Sequence, residues 1–257
     1  MFTQGEGGVG VGREQPPKMF KEALVKPTPK SLKILTGITV VLFVAALYMV
    51  FVRAPREAIM GEVQRVFYFH VSAGWVGALA FLVTAIAGIA YLAGGGRRWD
   101  RLAVSSVEIG VVFTLVNIVS GSIWARPTWN TWWTWDYRLV TATVMELIYF
   151  AYLLLRQGIE DPDRRARFGA VFAIVGFLSV PLTFLSIRLL PTIHPVVIGS
   201  GDPSAQGTFD MTPRMFQAFM FSLLTFTFIY ATLLWHRVQL EGLHQRIEQL
   251  KLRIAAG

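Results

Sequence analysis

Two kinds of residue in this chain can do unusual chemistry: its histidines and its tryptophans. There are four histidines, at 70, 194, 236 and 244, and no cysteine. Without thiols, disulfides, zinc–thiolate sites and iron–sulfur ligation are excluded, and any metal must be held by His, carboxylate, Met or Tyr. Five of the eight tryptophans (Trp124, Trp129, Trp132, Trp133 and Trp135) fall within twelve residues. A belt of aromatics at a membrane interface needs one or two per span end. Five in one short segment ask for a ligand. Their flat faces, interleaved with Thr128, Asn130, Thr131 and Thr134, can form a wall for a large planar apolar molecule. Arg126 and Arg138 frame that wall and can pair with carboxylates on the ligand's rim. Asp136 either holds one of these arginines or caps the following helix. Haem fits this description; some lipids and quinone-like molecules fit it more loosely.

The elements that must position these residues are membrane spans. The chain has 257 residues, 54% of them hydrophobic, and a mean hydropathy of +0.51, too apolar for an ordinary soluble fold. Six runs reach the roughly 20 residues that cross a hydrocarbon layer as a helix: 32–52, 66–92, 102–124, 139–155, 168–190 and 215–235. The predicted fold is all-α, a polytopic bundle of six transmembrane helices. Residues 1–30 form a Gly-, Pro- and Lys-rich tail, 31–237 the membrane domain, and 238–257 a cytoplasmic amphipathic tail. In that tail Leu240, Leu243, Ile247, Leu250 and Ile254 share one face. It either lies along the membrane surface or meets a partner, or it simply extends the last span.

Net charge is +8, but no groove-entering or base-stacking element accompanies it, so nucleic acid is not an expected partner. Topology explains the charge. With both termini inside, 17 of the 24 Lys and Arg residues fall in cytoplasmic segments and 7 outside, which selects the N-in, C-in orientation. The loops 53–65, 125–138 and 191–214 then share the outer face.

That orientation puts His70, in the first turns of span two, and His194, in the loop after span five, at the same outer level as the tryptophans. Two neutral imidazoles from different spans can approach haem iron from opposite faces, and Pro191 and Pro195 stiffen the chain around His194. A structural role is the competing reading for each histidine alone. His236 and His244 belong to the cytoplasmic side, as solvated residues. Ala73, Gly74, Gly77 and Ala78 share the His70 face, either for close helix packing or to admit a macrocycle edge. Glu108 and Glu146 lie inside spans with no matching buried Lys or Arg, which favours neutral, hydrogen-bonded packing over a proton or ligand path. Gly94, Gly95 and Gly96 make a turn without the pattern of a phosphate-binding loop, so any ATP-driven step belongs to another subunit.

The run Trp129-Asn130-Thr131-Trp132-Trp133-Thr134-Trp135-Asp136, preceded by Gly121-Ser122-Ile123-Trp124-Ala125-Arg126-Pro127 and followed by Arg138-Leu139, resembles the tryptophan-rich (WWD) signature of the haem-handling superfamily of cytochrome c assembly proteins. Six spans, Phe69-His70-Val71 and Ile193-His194 are similar to its CcmC family over residues 33–237. The resemblance implies axial haem ligation by His70 and His194, and a platform over 124–138 for non-covalent, b-type haem. It further implies a bacterial inner-membrane location and delivery of haem, without catalysis, to the periplasmic chaperone CcmE. Its implied partners are the small membrane protein CcmD and the ATP-binding-cassette pair CcmA/CcmB. Ser72 stands where relatives often carry Pro, which loosens the expected helix start at His70. Asn130 stands where Gly is common, making the loop less permissive of positive φ. A CcsA-type haem channel and synthase would be expected to carry further histidines within its spans. A permease or quinone-binding protein would use the Trp loop as a gate and the carboxylates as a proton path.

Overall fold

The computed structural model describes residues 28–195 and 211–255, and there it is helical. Most of the expected 1–30 tail and much of the 191–214 loop lie outside the described residues. Six helical segments are long and apolar enough to cross a membrane. The first is α1 (Lys30–Tyr48), which ends in a π-helical turn, Met49–Arg53. The next three are α2 (Gln64–Ala90), α3 (Arg97–Trp129) and α4 (Tyr137–Gln157). The fifth segment is two helices, α5 (Pro162–Phe177) and α6 (Ser179–Leu189), and the last is α7 (Pro213–Ala255).

Local sequence explains where these elements begin and end. The Asp136 carboxylate caps α4 by accepting from Leu139 N at 3.1 Å, and Asp161 caps α5 by accepting from Asp163 N and Arg164 N at 2.9 and 2.7 Å, with Pro162 at the position where a missing N–H costs nothing. The expected continuous fifth span is broken at Leu178. Pro181 lacks the N–H that would bond the carbonyl of Phe177, and its ring crowds that carbonyl. The tail beyond 237 extends the last span, because nothing in 236–255 breaks the helix.

Packing follows small residues and stacked rings. At Gly77 a Cβ would overlap Thr114 Oγ1, and at Gly74 it would sit 2.9 Å from Asn117 Nδ2. The small face beside His70 is therefore where α2 meets α3, not room for a macrocycle. Phe81 and Tyr149 stack at 3.5 Å and 2° in the core shared by α2, α3, α4 and α5. Outward apolar residues such as Val41 and Leu147 remain exposed, as lipid contact requires.

Two expectations about the intramembrane carboxylates need correction. Glu108 has a cation: Arg237 Nη2 donates to its Oε1 at 2.7 Å, because α7 continues past its apolar run alongside α3. Glu146 Oε2 is buried with no hydrogen-bond partner among the described residues, its helix being flanked there by the apolar cluster of Met145 and Tyr149. A buried pair that the sequence did not suggest, Arg156 with Asp100, is bidentate at 2.6 and 3.1 Å and joins α4 to α3.

Candidate functional site

The tryptophan segment is less of a loop than expected. Helix α3 runs on to Trp129, so Trp124 and Trp129 are helical residues, and only 130–136 is irregular. The helix stops at Asn130, whose φ of 55° is left-handed. Asn adopts that conformation more readily than most non-glycine residues, so the expected loss of positive φ at this position does not occur. Arg126 Nη1 donates to both the carbonyl and Oδ1 of Asn130 at 2.7 Å, locking the turn.

His70 lies in the second turn of α2, which begins at Gln64 despite Ser72. Its Nδ1 stands 2.9 Å from the carbonyl of Asn117 on α3, while Asn117 Nδ2 donates to the His70 carbonyl at 2.8 Å. Asn117 Nδ2 and Ser120 Oγ each lie 3.2 Å from the same Nδ1; when Nδ1 donates to the carbonyl, Nε2 keeps its lone pair. His194 is arranged the same way. Its Nδ1 faces the carbonyl of Pro195 at 3.1 Å, and its main-chain N–H donates to Thr192 Oγ1 at 3.1 Å. In both imidazoles Nδ1 stands against a main-chain carbonyl, an arrangement common among metal-ligating histidines. Burial pushes the His194 imidazole down to about 3, with the Arg138 and His70 charges adding to the effect, so it is neutral in any ordinary buffer.

The centroids of the two imidazole rings stand 6.4 Å apart and their planes are inclined by 37°. A metal bonded to both Nε2 atoms at about 2.1 Å requires a centroid separation of roughly 6.4 Å. Among the described residues no group of three or more His, Cys, Asp or Glu could hold a metal ion. Two imidazoles cannot complete a tetrahedral zinc site, but they suit an iron that brings four equatorial nitrogens of its own.

Around this pair lies a cavity of about 60 Å³. Of the expected site residues, His70, His194, Trp124, Trp129, Trp132, Trp133 and Arg138 line it. Trp129 is 6.5 Å from the His194 ring and meets Trp124 edge to face at 5.0 Å. Arg138 donates to the Thr183 carbonyl of α6 and lies over Phe184. Arg126, Trp135 and Asp136 are not in the lining. Arg126 closes the α3 terminus, Asp136 caps α4, and Trp135 is 78% exposed and meets Trp133 edge-on. The cavity is several-fold smaller than pockets that enclose a large ligand. Residues that sequence reasoning passed over also build the site. At Gly121 a Cβ would come 2.8 Å from His70 Cε1, and Asn117 anchors the same ring. Their spacing of one helical turn is visible in the sequence; that they face His70 is not.

A family model described as Heme exporter protein C matches residues 17–253. The chain belongs to the heme exporter protein C family. It is 29% identical to the Heme exporter protein C of Bradyrhizobium diazoefficiens over 231 residues, 89% of this chain and 85% of that relative. The Escherichia coli K12 protein of the same name is 30% identical over 190 residues, covering 72% and 73%. A putative cytochrome c biosynthesis ccmC-like mitochondrial protein of Marchantia polymorpha is 28% identical over 162 residues, covering 63% and 68%. The expected CcmC-type membership and the six-span architecture are thus both met.

Proposed function

We propose that this member of the heme exporter protein C family holds b-type haem non-covalently at the outer face of a bacterial inner membrane and passes it on for c-type cytochrome assembly. The observation that carries this reading is the pair of Nδ1-anchored imidazoles at bis-histidine spacing. In the proposal His70 and His194 supply the axial nitrogens. Trp124, Trp129, Trp132 and Trp133 provide the stacking surface, and Arg138 pairs with a propionate. Arg126 and Asp136 act by fixing the two ends of the 130–136 segment, and Trp135 presents its exposed face to incoming haem or to the acceptor. In the proposal the irregular 130–136 segment, with Trp132 59% exposed, gives way to admit the macrocycle.

In this reading the role is transfer of haem, with the chain supplying orientation rather than the bond-forming groups. The acceptor is a periplasmic chaperone of the CcmE type, with CcmD as a membrane partner and CcmA/CcmB supplying the ATP-driven step. Orientation is N-in, C-in. The test is an absorption spectrum of the full chain purified in mild detergent, with and without added haem. A Soret band is expected, and His70→Ala and His194→Ala are each expected to shift or abolish it. No band after haem addition, or a band that both variants leave untouched, would sink the assignment.

A further inference from the structure

Helix α7 does not stop where its membrane-crossing part ends. It is unbroken from Pro213 to Ala255, and at about 1.5 Å per residue the stretch after Trp235 carries it roughly 30 Å further. Its polar face is turned to the bundle. Arg237 reaches Glu108 and Glu241, and Gln245 Oε1 accepts from Arg101 at 3.3 Å. Leu243, Ile247 and Leu250 lie half-buried on another face of the helix, with Leu240 at its edge beside Arg237. Leu240 is 57% exposed, and none of the three apolar clusters reaches beyond Leu234.

The alternating spacing of three and four is a coiled-coil seam, with Leu240 and Ile247 at one core position of the heptad and Leu243 and Leu250 at the other. The positions flanking that seam are His244, Arg246 and Lys251. The segment's carboxylates, Glu241 and Glu248, lie away from the seam and engage Arg237 and Lys251, the latter at 2.8 Å. The flanking positions therefore hold two cations, Arg246 and the Glu248-paired Lys251, and no carboxylate. A second copy of this chain would set like charges against each other, whereas a helix edged with carboxylates would complement them. Two heptads are too short to hold a helix free in solution, but tethering in the same membrane raises the effective concentration to the millimolar range. An unbroken helix leading away from its own span is also poorly placed to lie on a lipid surface.

We propose that residues 240–251 of α7 are a docking strip for one helix of a membrane-anchored partner protein, with an apolar seam flanked by Asp and Glu. The chain has no cysteine, so Gln249→Cys gives a single dye site. The labelled full chain is reconstituted in zwitterionic vesicles with a lipid-anchored three-heptad peptide carrying Leu at the seam, Glu at its flanks and an acceptor dye. Saturable energy transfer is expected. Leu243→Glu with Ile247→Glu should weaken it at least tenfold. Arg246→Glu with Lys251→Glu should move the preference to the same peptide with Lys flanks. The proposal is overturned if the Glu-flanked peptide gives no transfer, or if the Lys-flanked peptide serves the unaltered chain equally well. It is also overturned if charge reversal changes nothing, or if anionic vesicles without peptide draw the labelled helix onto the bilayer.

Discussion

Gly121 shows how finely the site is fitted around one ring. An alanine methyl there would press on His70 Cε1 at 2.8 Å and force the ring to shift. Disturbing the groups that orient a ligating histidine typically costs 10–100-fold in affinity, so Gly121→Ala should weaken haem binding by about that factor in a titration followed at the Soret band. Retained affinity would mean that His70 is not oriented by this contact. His194 carries a pH signature. Its imidazole, ordinarily near 6.5, is held at about 3 by burial. Between those values the unfolded chain takes up a proton that the folded one refuses, so stability is complete above about pH 6.5 and declines as pH falls toward 3. In haem-free protein the thermal midpoint should therefore drop more steeply from pH 7 to 4.5 than in His194→Phe; parallel curves would remove burial of this ring as the cause.

Between helices, buried charge and absent side chains decide the packing. Arg156 and Asp100 are each 9% exposed, and removing one partner leaves an uncompensated charge costing about 3–5 kcal/mol. Asp100→Ala should accordingly lower the melting temperature in detergent markedly, while Asp100→Leu with Arg156→Met recovers most of the loss. If the single and double variants melt alike, the pair is not holding α3 to α4. Gly77 is needed because Thr114 occupies the place of its Cβ. Gly77→Ala should destabilise the α2–α3 contact, and adding Thr114→Ala should restore it, a coupling that a double-mutant cycle measures directly.

For the molecule as a whole, the question is which end faces outward. The segments 130–136 and 191–195 gather at one end with His70. At the other, Arg97 meets Asp163 at 2.6 Å and Thr36 meets His236 at 3.0 Å. The excess of basic residues lies at this second end, the end that resists translocation. A reporter active only in the cytoplasm, fused after Gly257, should be active, and one active only in the periplasm should be silent; the reverse result overturns the orientation.

Hydropathy alone determined the six spans, because 20 apolar residues have no stable place except lipid or a core. The cluster of tryptophans and the two histidines were likewise legible as types and positions. Tertiary structure decided most of the rest, since these facts depend largely on residues far apart in the chain. It set the imidazoles at 6.4 Å, gave Glu108 the cation Arg237, and made Asn117 and Gly121 the seat of His70. It also moved Arg126, Trp135 and Asp136 out of the cavity, because α3 stays helical through Trp129 and turns at a left-handed Asn130. Periodicity records which face of a helix is apolar, but the partner met across 47 residues is fixed only by how two helices pack.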